Sequence, residues 1–151
     1  MLHRPAWLLC LAPCLLAASA PGGGVLTIDV GNVRISKGRV HVDACPESRF
    51  LKDDCPYSAE APATKGVTRV QVHSLPAGRY AVQAFLDENG NGKVDRALFG
   101  IPKEGVGFSN DAKIALGPPK FAEAAFDFNG SAQTIHFGLR YFLGDKGPSG
   151  H

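Results

Sequence analysis

The chain has 151 residues with a formal net charge of +2, and 44% of it is hydrophobic. That suits one domain with a core of its own. There is no basic run, no aromatic-interleaved basic strip and no amphipathic basic helix. The sequence therefore lacks the electrostatic footprint of a nucleic-acid binder and any helix suited to a membrane surface.

Met1 to Ala20 reads as an export signal. Arg4 gives a short positive start, AWLLCLAPCLLAA an apolar centre, and Ala18-Ser19-Ala20 the small residues of a cleavage site. Pro21 is an awkward neighbour for a peptidase, which leaves cleavage after Ser19 as an alternative. The apolar run is interrupted by Pro13 and is shorter than the roughly 20 residues of a bilayer span. A lipid-anchored reading of Cys14 is opposed by Pro13, where a small residue is expected. An exported protein, periplasmic or secreted, follows. With Arg4 removed the net charge falls to near +1. Of the four cysteines, Cys45 and Cys55 stay with the body of the chain. An even pair in an exported protein predicts a disulfide. The competing zinc half-site has no second Cys or His pair at ligand spacing.

In chain order, Val25–Ile35 alternates with Leu26, Ile28 and Val30 on one face, and Gly31-Asn32 predicts a bulge or bend. Arg39–Cys45 is a second strand, its Val40, Val42 and Ala44 inward and His41 and Asp43 outward. Arg49-Phe50-Leu51 suggests a short helical turn inside the disulfide loop. Ser58–Lys65, rich in Ala and Pro, reads as a connection. Val67–Leu75 and Arg79–Leu86 are strands joined by a Pro-Ala-Gly turn. Ala112–Leu116 reads as a short strand and Phe121–Phe128 as a longer one. Asn129-Gly130 is a hairpin signal, and Gln133–Leu143 is the last strand. Residues 144–151 read as a flexible polar tail. The prediction is an all-β domain over 21–143, a single antiparallel β-sandwich of about seven strands with one disulfide loop.

Between Asp87 and Asp111 the pattern changes. Asp87-x-Asn89-x-Asn91-Gly92 fits the first half of a calcium loop, in which side-chain oxygens at alternate positions converge on one hard cation. The carbonyl of Lys93 and the carboxylate of Asp95 extend the candidate ligand set. Leu98 stands where an EF-hand has its bidentate Glu, and the flanks are strands, so this is a calcium loop set between strands. A plain tight turn fits the same Asn-Gly pairs. In Gly100–Asp111 two glycines are four residues apart, as in a phosphate loop, but Val106-Gly107 replaces the required Lys-Ser/Thr. Two readings stand: an ordered loop packed on the turn, or a binding loop presenting Lys103, Glu104, Phe108, Asn110 and Asp111.

LPAGRYAVQAFLDENGNGKVDRALFGIPKEGVGFSND, followed by GPPKFAEAAFDF, resembles a family of exported bacterial proteins catalogued as domain of unknown function 2141. The resemblance covers Val25 to Phe142. It implies a transthyretin-like or carboxypeptidase-regulatory-like sandwich and brings no catalytic residue and no substrate. The two cysteines match a pattern found in part of that family. The LPAGRYAV segment is also similar to the Pro-Gly-Tyr hairpin of bacterial surface-adhesin B-type domains, some of which hold calcium.

No catalytic residue is identified. Ser109 lacks a nucleophile-elbow context, and His41 with Asp43 makes at most half of a metal site. The expectation is a monomeric binding or accessory module with a calcium-stabilised loop. Its partner would be a protein, peptide or glycan of the envelope or outside it. The alternatives are a hydrolase of cell-surface polymers with a site around Glu104–Asp111, and a structural or adhesion unit.

Overall fold

Alternating apolar residues fold the chain into eight strands in two sheets. The computed structural model describes residues 22–149; the expected export signal, residues 1–20, lies outside them. The strands are β1 (Gly24–Val33), β2 (Arg39–Cys45), β3 (Tyr57–Pro62), β4 (Gly66–Leu75), β5 (Gly78–Asp87), β6 (Val106–Phe108), β7 (Ala125–Phe128) and β8 (Ala132–Gly138), with one helical turn, α1 (Phe121–Ala124). One sheet has the order β4-β1-β8. The other runs β3-β2-β5, and the far edge of β5 is shared by β7 at Gly78–Ala81 and β6 at Gln83–Phe85.

The sandwich is antiparallel except at one place. Strand β8 lies parallel to β1, with Ile28 opposite Ile135 and Val30 opposite Phe137. The cause lies at Asn129-Gly130. Gly130 takes the left-handed conformation of a turn (φ 81°), but the turn carries the chain from β7 in one sheet to β8 in the other. It is a crossover between sheets, not the hairpin that the dipeptide suggests.

Other expectations are also corrected. The Ala/Pro-rich stretch read as a connection contains β3, an edge strand paired with β2 from Arg39–Pro62 to Ala44–Tyr57. Pro62 ends it, where a missing N–H costs little. Ala112–Leu116 forms no strand, and β6 lies inside what reads as a loop. Phe121–Phe128 begins as α1 because Glu123 reaches back to the Lys120 N–H at 2.6 Å, a capping-box contact. The final strand ends at Gly138, although the chain stays pinned beyond it. Leu139 N donates to Gly31 O at 2.9 Å, and Arg140 pairs with Val106.

The predicted faces meet in the core. Leu26, Ile28 and Val30 of β1 and Val70 and Val72 of β4 pack against Val40 and Val42 of β2 and Val82 and Leu86 of β5. At the predicted bulge, Asn32 adopts φ 56°, a conformation Asn tolerates better than most residues. Its buried amide donates to Leu139 O (2.8 Å) and Lys146 O (3.0 Å), and its oxygen accepts from Ser149 N (2.8 Å). Residues 144–149 thus fold back onto β1.

A second, smaller core lies on the outer face of the larger sheet. There Phe50 meets Phe108 and Phe121 edge to face, with ring centroids 5.9 and 5.8 Å apart, alongside Ala112 and Ala124. The Cys45–Cys55 disulfide, with Cα atoms 5.2 Å apart, holds the Glu47–Arg49 3-10 turn over this cluster. Closing a loop between cysteines ten positions apart contributes about 2–3 kcal/mol in the chain-entropy model. Replacing both cysteines by serine is expected to lower stability by about that amount. Intact mass should rise by two hydrogens on reduction; an unchanged mass would count against the bridge.

Candidate functional site

Strand β5 ends at Asp87, and the turn that follows is built on that residue. Asp87 is buried. Its Oδ1 accepts from Gly90 N (2.8 Å) and Asn91 N (3.1 Å), and its Oδ2 accepts from Gly92 N (2.8 Å). Gly90 and Gly92 take positive φ, 74° and 76°, which lets successive N–H groups point inward at one carboxylate. Asn89 and Asn91 donate their amides to Asp95 at 2.5 and 2.9 Å. Those two bonds hold the Asp95 carboxyl below its ordinary range. Lys93 donates its own N–H to Asn91 Oδ1 at 3.1 Å.

Leu98, at the twelfth position, is exposed, so the loop does not close as an EF-hand does. A buried acid arrives instead from the following connection. Glu104 accepts from Glu88 N with Oε1 and from Asp95 N with Oε2, both at 3.1 Å. Burial pushes its carboxyl up against the pull of those two N–H groups, and the nearby charges of Asp95 and Asp87 add to the rise. Three carboxylates therefore gather in one turn, each oxygen already accepting a hydrogen bond. No group of three His, Cys, Asp or Glu side chains among the described residues is set to hold a metal ion.

Most of the other predicted binding-loop residues are tied to the chain itself, while the Lys103 side chain is exposed. Asn110 donates to Ala125 O at 2.9 Å, and Asp111 accepts from Gly138 N at 2.8 Å. Lys103 contributes its N–H to Asp95 O at 2.9 Å. Phe108 belongs to the second core. The glycines answer to packing. A Cβ on Gly105 would stand 2.4 Å from the Tyr141 ring, and one on Gly107 would stand 2.7 Å from Gly138 O. Ser109 is likewise structural: its hydroxyl accepts from Val82 N (2.9 Å) and donates to Ala124 O (2.5 Å).

The concave feature lies elsewhere. Where the second core leaves the outer face of β2, β3 and β5 uncovered, a groove of about 930 Å³ opens. Its floor carries His41, Asp43, Ser58, Gln83 and Phe85; its walls include the turn at Gly92–Val94 and the tips at Phe99 and Leu116. Neither Glu104 nor Asp111 lines it. Asp43 organises the floor, accepting from Ser58 Oγ (2.5 Å) and Gln83 Nε2 (3.1 Å), with His41 Nε2 at 2.9 Å. Burial opposes its ionisation, but His41, Ser58 and Gln83 together outweigh that and hold the carboxyl low. The same contact raises His41 against its own burial, with the charges of Asp43 and Glu60 adding to the effect. The His41 ring also lies tilted over Phe85, centroids 5.1 Å apart.

Sequence reasoning placed His41 and Asp43 on an outward face and stopped there. The missing signal was β3: once Ser58–Glu60 is read as a strand beside β2, Ser58 falls opposite Asp43 and Glu60 opposite His41.

Residues 28–136 match the model of a family described as "Uncharacterized protein conserved in bacteria (DUF2141)". The chain belongs to this family. The matched span contains the acidic turn, the connection after it and the whole groove floor. No curated protein and no solved structure matches the chain. Among the described residues no helix is long and apolar enough to cross a membrane.

The His41–Asp43 contact carries a pH dependence. With its folded value raised, His41 contributes stability that is complete below 6.5 and fades as pH rises through the folded value. NMR titration is expected to give His41 a midpoint above 6.5, and Asp43→Asn should lower it. A midpoint unmoved by Asp43→Asn would contradict the pairing.

Proposed function

We propose that this family member is an exported binding or accessory module that takes a ligand in the groove over β2, β3 and β5. The observation that carries the reading is the groove itself: a hydrogen-bonded floor around Asp43, the edge of the Phe85 ring and walls that mix apolar tips with Lys93 and Arg96. A concave site with fixed polar groups beside apolar ones is a usual form of a ligand site. An extended peptide or a glycan of the cell envelope suits it, since each offers an apolar face and a hydrogen-bonding edge. Export is supported by the disulfide and by the leader-like start of the sequence.

Calcium belongs to the same reading as a stiffener of one wall. The turn at Asp87 supplies Gly92–Val94 to the groove, and its three carboxylates gather without a Lys or Arg salt bridge among the described residues. A carboxylate oxygen has two lone pairs. Asp87 Oδ2, Asp95 Oδ1 and both oxygens of Glu104 each accept one hydrogen bond. Asp87, Asn89, Asn91 and Asp95, with the Lys93 carbonyl, would hold the ion. It would offset the repulsion from Asp95 and Asp87 that adds to the burial-driven rise of Glu104. Neutral amides in the set suit an affinity of about 10⁻⁴–10⁻³ M.

Two measurements test the parts separately. Amide shifts during titration with envelope glycan fragments and extended peptides should concentrate at His41, Gln83 and Phe85. Phe85→Ala should weaken binding roughly tenfold or more, as removal of a central aromatic contact does. Shifts confined to other surfaces would refute the groove. Millimolar calcium should raise the melting temperature, and Asp87→Ala should abolish the rise. A melting curve indifferent to calcium and chelator removes the metal and leaves the groove standing.

A further inference from the structure

Two loop tips beside the groove carry apolar side chains that nothing among the described residues covers. Leu98 is 82% exposed, Phe99 98%, and Leu116 fully exposed. Phe99 is the most unusual of them. Its backbone sits at φ 61°, a region that a bulky L-residue seldom occupies. A strained conformation that leaves a phenylalanine in water is more often kept for function than for stability. The two tips are neighbours in space, since Ile101, Ile114, Leu116 and Phe142 line one shallow cleft with Phe99.

The stretch that carries them is rich in cations. Between residues 93 and 120 the cations are Lys93, Arg96, Lys103, Lys113 and Lys120. None of the five is in a salt bridge among the described residues. The acids of the same stretch are Asp95, Glu104 and Asp111, and all three are turned to partners in the chain. Lys93 and Arg96 line the groove with Phe99 and Leu116, and of the two acids there Asp43 is bonded within the chain while Asp53 is exposed. The surface beside the tips is apolar with a positive balance.

We propose that these two tips dock the protein on an anionic lipid bilayer. Phe99, Leu98 and Leu116 would enter the headgroup boundary while the flanking Lys and Arg side chains meet the anionic headgroups. This is the pairing of apolar insertion with basic attraction that reversible membrane binding requires. No single segment of sequence displays it, because it is assembled from two loops rather than from one amphipathic helix. The inference does not depend on what the groove holds.

Cosedimentation of the full chain, as the cell delivers it, with vesicles of phosphatidylglycerol and phosphatidylcholine tests the proposal. Binding is expected to anionic vesicles, to weaken as salt screens the charges, and to be much weaker with phosphatidylcholine alone. Phe99→Asn combined with Leu116→Ser should reduce it by roughly tenfold or more, given the transfer energy of the lost side chains. Asn tolerates the backbone at position 99, so the melting temperature should not fall. As a second readout, Phe99→Trp should show a blue-shifted emission with anionic vesicles; the chain's one natural tryptophan, Trp7, lies in the expected leader. No binding to anionic vesicles, equal binding to neutral ones, or full binding by the double variant would each overturn the proposal. Selective retention on an acidic protein in place of vesicles would do the same.

Discussion

Much of the molecule's less regular half hangs on one buried carboxylate. Glu104 receives the N–H of Glu88 on one oxygen and that of Asp95 on the other, joining the start and end of the acidic turn to the connection that follows. Without it, two buried or half-buried N–H groups would lose their acceptor, at a cost of about 1–3 kcal/mol each. The Gly105 carbonyl next to it accepts from Leu86 N at 2.9 Å, so the same contact delivers the chain into β6. Beyond β6 come Ser109, Asn110 and Asp111, whose side chains bond to β5, to the start of β7 and to the end of β8.

That constraint decides what the outer face of the larger sheet becomes. One half is covered by the disulfide loop, α1 and the Phe50–Phe108–Phe121 contacts. The other half stays open, with the Asp87 turn and the tips at Phe99 and Leu116 as its walls. Arg34 closes the arrangement from behind. It bonds Glu88 at 2.5 Å and lies over the Tyr141 ring at 4.7 Å. The Tyr141 hydroxyl in turn accepts from Arg34 N, and burial pushes the phenol up to about 12.

The strands β1, β2 and β4 were legible because one face of each is buried and the other more open; β5, buried on both faces over most of its length, was legible from its apolar run. The disulfide and the bulge at Asn32 were legible for equally local reasons. Strand β3 was not: its alternation sets Tyr57, Ala59 and Ala61 against Ser58, Glu60 and Pro62, too weak a contrast to read. The Asn129-Gly130 turn was recognised as a turn, but whether it reverses within a sheet or crosses between sheets depends on long-range pairing. In the acidic turn, the carboxylate at Asp87 and the two positive-φ glycines could be read from spacing. The role of Glu104 could not, since it comes from beyond the loop. In GIPKEGVGFSND, Glu104, Phe108, Asn110 and Asp111 are engaged by packing or hydrogen bonds within the chain, contacts that sequence spacing does not show.

Amide hydrogen exchange in Glu104→Gln tests the central claim most directly, because the substitution keeps the shape and turns one acceptor into a donor. If Glu104 holds the region together, protection should fall at Glu88 and Asp95 and also at Gly90, Gly92 and Val106, while β1 and β4 keep theirs. Loss of protection confined to Glu88 and Asp95, with Val106 unchanged, would contradict it.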